Sequence, residues 1–130
     1  MHTREDANFS ITRVLPAQNT DANSSSIDLE DASPQLVGEV TELLLELPAT
    51  TCATGQTITF TIQDSADNSS FAAVTGLSTI VLTGASSATA ALSRPIRLPR
   101  DVRRYVRINV AMSATTGDLT ALSATFKLRF

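Results

Sequence analysis

RPIRLPRDVRRYVRINV, residues 94–110, is the stretch that decides the fold. Pro95 and Pro99 fix their own φ and lack a backbone N–H, so residues 94–99 are extended, not helical. From Arg103 onward the side chains divide with period two. Arg104, Val106, Ile108 and Val110 fall on one face, and Arg103, Tyr105, Arg107 and Asn109 on the other. That alternation predicts a half-buried strand with Val106, Ile108 and Val110 turned into a core. Tyr105 and Arg107 are expected to look outward or along a sheet edge.

The same stretch gathers positive charge. Arg94, Arg97, Arg100, Arg103, Arg104 and Arg107 belong to a total of 10 Lys and Arg. The plain reading is a solvated strand face. The sharper reading is a docking surface, because the planar, weakly hydrated guanidinium suits interfaces better than an ammonium does, and the run contains no lysine.

Working outward, the chain reads as strands. Thr57-Ile58-Thr59-Phe60-Thr61-Ile62 alternates cleanly, with Ile58, Phe60 and Ile62 inward. At the C-terminal end Leu122, Ala124, Phe126, Leu128 and Phe130 alternate with Ser123, Thr125, Lys127 and Arg129. Shorter strands are expected near residues 9–15, at Ile27–Glu30, at 78–83 and at 87–93. Glu39–Pro48 is ambiguous: its Glu and Leu favour helix, yet the run is short, ends on Pro48 and lies among strands. It is read as a strand with Leu43, Leu45 and Leu47 inward and Leu44 exposed. Polar turns are expected at 17–26, Asp31–Gly38, 64–70 and 115–118, with Phe71 anchoring the far end of the third in the core. About eight short strands and no substantial helix predict an all-β fold, an antiparallel jelly-roll-like β-sandwich. The organisation expected is a polar N-terminal arm and loop over 1–24, with its short strand near 9–15, and a single sandwich domain over 25–130.

Composition agrees. The 130 residues are 42% hydrophobic and 18% charged, enough apolar content for a core and too little charge for a disordered chain. Net charge is −3 but strongly dipolar: residues 1–46 hold nine acids against Arg4 and Arg13, while residues 94–130 hold eight bases against Asp101 and Asp118. Such a chain either pairs its own halves or meets a partner of opposite charge. Direct nucleic-acid binding is not expected, since Tyr105 is the one aromatic beside the arginines. Met1 to Asn8 has no apolar core of a signal peptide, and no apolar run is long enough to span a bilayer as a helix.

Chemistry is sparse. His2 is the single histidine, which leaves no Ser-His-Asp triad and no histidine metal cluster. Cys52 is the single cysteine and is read as a buried or incidental thiol. Asp64 and Asp67 lack the ligand pattern of an EF-hand and are read as turn and capping residues. The acids in general look like strand-face and loop residues. No catalytic, cofactor-binding or metal-binding residue is assigned, and no enzymatic activity is expected.

Ile96-Arg97-Leu98-Pro99-Arg100-Asp101-Val102-Arg103-Arg104-Tyr105-Val106-Arg107-Ile108 resembles the arginine segment of the Bordetella-phage type of capsid cement (decoration) protein of tailed bacteriophages. Leu119-Thr120-Ala121 before the final strand, Ile62 to Phe71 and Ile27-Asp28-Leu29 are similar to further parts of that family. The resemblance implies a jelly-roll protein on the outer surface of the virion head, assembled in the bacterial cytoplasm, that clamps and stabilises major capsid protein subunits. It implies two partners, the phage major capsid protein and further copies of itself, with a dimer favoured over a trimer, and no membrane. The candidate contacts are Arg97, Arg100, Arg103, Arg104, Tyr105 and Arg107. The competing reading is a carbohydrate-binding or adhesion module on the same scaffold, against which the scarcity of aromatics counts.

Overall fold

The structure, a computed structural model, describes residues 5–17, 19–29, 42–50, 52, 54–84, 90–113 and 119–129. All ten elements are strands: β1 (Glu5–Val14), β2 (Asp21–Asn23), β3 (Ile27–Asp28), β4 (Glu42–Leu47), β5 (Thr57–Ser65), β6 (Ala72–Ala73), β7 (Ile80–Thr83), β8 (Leu92–Arg97), β9 (Tyr105–Met112) and β10 (Ser123–Arg129). They form two antiparallel sheets, one in the order β1-β10-β4-β8 and one of six strands in which β9 and β5 are central. β2 and β3 pair with β9, and β6 and β7 pair with β5. If β2 with β3, and β6 with β7, count as interrupted strands, each sheet has four positions. The chain then passes between sheets at every step except β5 to β6, which is the strand order of a jelly roll.

The alternations read from sequence supply the inner faces. Ile58, Phe60 and Ile62 of β5 and Val106, Ile108, Val110 and Met112 of β9 meet Leu43, Leu45 and Leu47 of β4 and Ala124, Phe126 and Leu128 of β10. Phe60 and Phe126 make an edge-to-face contact across the sheets, with centroids 6.5 Å apart. Residues 42–47 are strand despite their helix propensity, because β10 and β8 flank them on both sides.

Several expectations change. The first strand begins at Glu5, not near residue 9, and residues 21–23 of the expected loop form β2. The expected arm therefore contributes a strand to each sheet: backbone pairing with β10 and β9 supplies what polar side chains do not. Leu44 is buried, at 5% exposure, although it faces away from the core. It lies opposite Lys127 and Pro95. Lys127 reaches Glu46 at 3.2 Å, which lays its aliphatic stem along this face of the sheet. Phe71 stays outside the core cluster and packs under Arg107 instead. Asp64, read as a turn residue, is buried at 6% exposure on the core-facing side of β5. The turns expected at Asp31–Gly38 and at 115–118 lie outside the described residues.

Candidate functional site

The arginine stretch is the crossover from one sheet to the other. β8 runs along the free side of β4, as an edge strand able to hold Pro95. Leu98, buried at 7% exposure, then turns into the core, and Val102 packs against the same cluster. Between them the Val102 N–H donates to the Pro99 carbonyl at 3.2 Å, closing a turn over Arg100 and Asp101. Neither Arg100 nor Asp101 adopts a left-handed φ. The apolar anchors at 98 and 102 leave Arg97 and Arg100 outside, both exposed.

Arg103 ends the crossover on Asp64. The backbone N–H of Arg103 donates to Oδ2 of Asp64 (2.9 Å), while Nε and Nη2 donate to Oδ1 (2.9 and 2.6 Å). Nη2 also donates to the Asp64 carbonyl at 2.6 Å. Burial pushes the Asp64 carboxyl up, but the side-chain bonds, the backbone N–H and the charge of Arg103 outweigh it and hold the group below its ordinary value. Asp64 in turn pushes the Arg103 guanidinium up. A cleft of about 250 Å³ opens beside this clamp toward Val74, Thr75 and Asp101. The carboxylate at its floor is already occupied by Arg103.

The next arginines are likewise engaged inside the chain. Arg104 forks onto Asp28 of β3, Nε to Oδ1 at 2.9 Å and Nη2 to Oδ2 at 2.8 Å, and its guanidinium lies 5.0 Å from the Tyr105 ring centroid. Arg107 projects from the outer face of β9, where Nε donates to Gln63 Oε1 at 2.8 Å and the guanidinium stacks 4.0 Å from the Phe71 centroid. Further along, Asn109 Nδ2 donates to Asp21 Oδ2 (3.0 Å) and Asn23 Oδ1 (2.9 Å). The outer face around β9 is thus a network of side chains bonded to one another.

Of the six expected contact residues, then, Arg103, Arg104 and Arg107 are bonded to other side chains of the same chain, and Tyr105 is half-buried beside Arg104. Arg97 and Arg100, joined by Arg94 on the same strand edge, have no ion-pair or hydrogen-bond partner among the described residues. Asp64 was missed as a partner of this stretch. A usable signal was present, since it continues the inward series Ile58, Phe60, Ile62, and a charge at an inward position calls for a counter-charge.

Among the described residues no group of three or more His, Cys, Asp or Glu is placed to hold a metal ion. The arrangement offers a rigid, arginine-bearing end and edge.

The sequence matches the Bbp16 family model over residues 11–127. The chain belongs to the Bbp16 family. That family is one of Bordetella phage proteins, and the match takes in the whole crossover together with the strands that carry Asp28 and Asp64. No curated protein matches the chain. Within the Bbp16 chain the clamp of Asp64 on Arg103 and the fork of Arg104 on Asp28 tie residues far apart in sequence to the crossover.

Proposed function

We propose that this chain is a structural cement protein of a phage head, which docks on the outer surface of the capsid and stabilises contacts between major capsid protein subunits. Membership of a phage protein family supports it. One structural observation carries the docking part: Arg94, Arg97 and Arg100 are exposed and have no ion-pair or hydrogen-bond partner among the described residues along one edge and end of the sandwich, while Arg103 and Arg104 are paired with Asp64 and Asp28 and Arg107 is bonded to Gln63. Solvated cations held on a rigid turn suit an acidic partner surface. Each contact is weak, on the order of 0.2–1 kcal/mol for an exposed pair, but a capsid lattice repeats it many times and any linked contacts gain by effective concentration.

Co-sedimentation with expanded, empty capsids, at low and moderate salt, tests this reading. Saturable binding at a fixed ratio to the major capsid protein, weakened by salt, is the expected result. The double variant Arg97→Ala, Arg100→Ala should lose most of that salt-sensitive binding while unfolding at the wild-type temperature. Unchanged occupancy for this variant would remove these arginines from the docking surface, and no binding of the wild type to matched capsids would remove the cement role itself.

A further inference from the structure

The segment that covers the outer side of β9 is fastened in an unusual way. β2 gives β9 three register partners and β3 gives it two. Asn23 lies opposite Asn109 and Ile27 opposite Val106, so Ser24, Ser25 and Ser26 stand against Arg107 and Ile108. Three residues against two make a bulge, which breaks the backbone ladder. A side chain mends the break. The Ser24 N–H donates to the Ile108 carbonyl at 2.8 Å, but the Ile108 N–H donates to Ser24 Oγ, at 3.0 Å, in place of a carbonyl. The Ser24 hydroxyl donates its own proton to the Ser25 carbonyl at 2.8 Å, which leaves it a lone pair for Ile108.

The remaining ties are also largely polar. Asn109 bonds Asp21 and Asn23 at one end of the segment. At the other end Arg104 forks onto Asp28, and the Leu29 N–H donates to the Arg104 carbonyl at 2.9 Å. Apolar anchoring is slight: of residues 20–29, Ile27 is the one fully buried apolar side chain, with Leu29 partly buried against the core. The opposite edge, residues 72–83, sinks Val74 and Ile80 into the core and packs Leu77 and Leu82 against it. Just upstream the chain is pinned by buried Leu15, whose N–H is bonded to Leu122, and Asn19, with a left-handed φ of 57°, separates that anchor from the segment. Segments with few buried apolar contacts and solvent-reachable hydrogen bonds are the ones that open locally. The fork is within reach of solvent, since the Arg104 side chain is 39% exposed.

We infer that residues 20–29 form a strap that leaves β9 as one unit while the rest of the sandwich stays folded, with the Asp28–Arg104 fork as its latch. An acidic group that takes Arg104 from Asp28 releases the strap, and an open strap offers Arg104 to such a group, the two effects being reciprocal. The inference concerns the chain alone and does not depend on capsid docking.

β9 carries its own control for the test. Neighbouring N–H groups along an antiparallel strand point to opposite sides. Ile108 and Met112 donate toward the strap, to Ser24 and Thr20, and Ser113 donates to Thr57 of β5. Val110 therefore faces the strap as well, and Arg107, Asn109 and Ala111 face β5.

Native-state amide hydrogen exchange of the full chain, read by NMR, decides. The expected result is that Ser24, Leu29, Ile108, Val110 and Met112 share one opening equilibrium, at least about tenfold more populated than the global unfolding that exposes Arg107, Asn109 and Ala111. Arg104→Gln undoes the latch at one end and should raise the opening of all five amides by about two- to fivefold, Met112 at the far end included. Asn109→Ala removes the ties at the other end and should raise it by about threefold to tenfold, Leu29 included. Poly-L-glutamate at millimolar side-chain concentration should speed the same five amides in the wild type and leave them unmoved in Arg104→Gln. Strap-facing and β5-facing amides of β9 exchanging at one common rate overturn the strap. Substitutions that each loosen only their own end overturn its action as a unit, and unchanged wild-type rates with poly-L-glutamate overturn the latch. Should a variant fail to fold, the alternate amides of wild-type β9 still decide.

Discussion

Asp64 and Arg103 form a closed clamp in which one aspartate carboxylate receives both the backbone N–H and the guanidinium of one arginine. Asp64 has a side chain only 8% exposed and Arg103 one 41% exposed, so the acid is the committed member. Replacing Asp64 with Asn keeps the size but leaves the Arg103 donors facing an amide. Asp64→Asn should destabilise the fold by roughly 1–3 kcal/mol, the cost of an imperfectly satisfied buried site. Arg104→Gln, which opens a more exposed fork onto Asp28, should change stability by less than about 1 kcal/mol. Urea denaturation of both variants checks the contrast, and equal losses would show that the clamp has no special weight.

Acid should open the same end of the molecule. Asp64 titrates below its ordinary 3.8. Asp67 is lowered to about 2 by the Ser70 N–H first, then by the Ser65 hydroxyl and the Ser69 N–H. A carboxyl with a depressed folded-state pKa adds stability that is fully present above its unfolded pKa and is lost as pH falls through the folded one. Stability should therefore be insensitive to these two groups at neutral pH and fall as pH drops from near 3.8 toward 2. Thermal melts over that range check it. Asp64→Asn should lose part of the acid dependence, and an unchanged slope would assign it to other groups.

Leu44 marks where sequence patterning stops being informative. Alternation placed Leu43, Leu45 and Leu47 inward correctly, and by the same rule Leu44 outward, which is also correct for its face. What alternation does not encode is cover on that outer face, here from a cross-strand lysine more than eighty residues away in sequence. The long-range arginine partners were hidden for the same reason: Asp28 and Asp64 meet Arg104 and Arg103 only once β3, β5 and β9 are side by side. β2 was invisible because Asp21, Ala22 and Asn23 carry no apolar period, and its pairing with β9 is made by the backbone and by Asn109 bonding Asp21 and Asn23 across the strands. The apolar core faces of β5, β9 and β10 were legible, since their burial is set by period two within one strand, whereas Asp64 at the end of the β5 series was not. Leu44→Asp, placing a charge under the Lys127 stem, should destabilise by about 2 kcal/mol or more; a denaturation midpoint equal to wild type would mean that this face is open to water.

Pro95 should act as a gatekeeper of the β8 edge. It lies opposite Leu44 in the middle of β8, and β8 has β4 on one side and no described strand on the other. A proline persists in such a strand where its missing N–H faces outward, which places the gap in the donor row on the free side. Pro95→Thr restores that donor with a residue suited to strands and leaves the β4 ladder intact. The expected outcome is a variant with a denaturation midpoint close to wild type that self-associates at concentrations where the parent does not, through edge-to-edge contact. Light scattering during a slow concentration series reads this directly. The flanking Arg94 and Arg97 repel a second copy of the same edge, so association of Pro95→Thr should strengthen as salt is raised. If the variant scatters like the parent at high salt, the charges alone guard the edge and the proline serves only to fix the chain's course into the crossover.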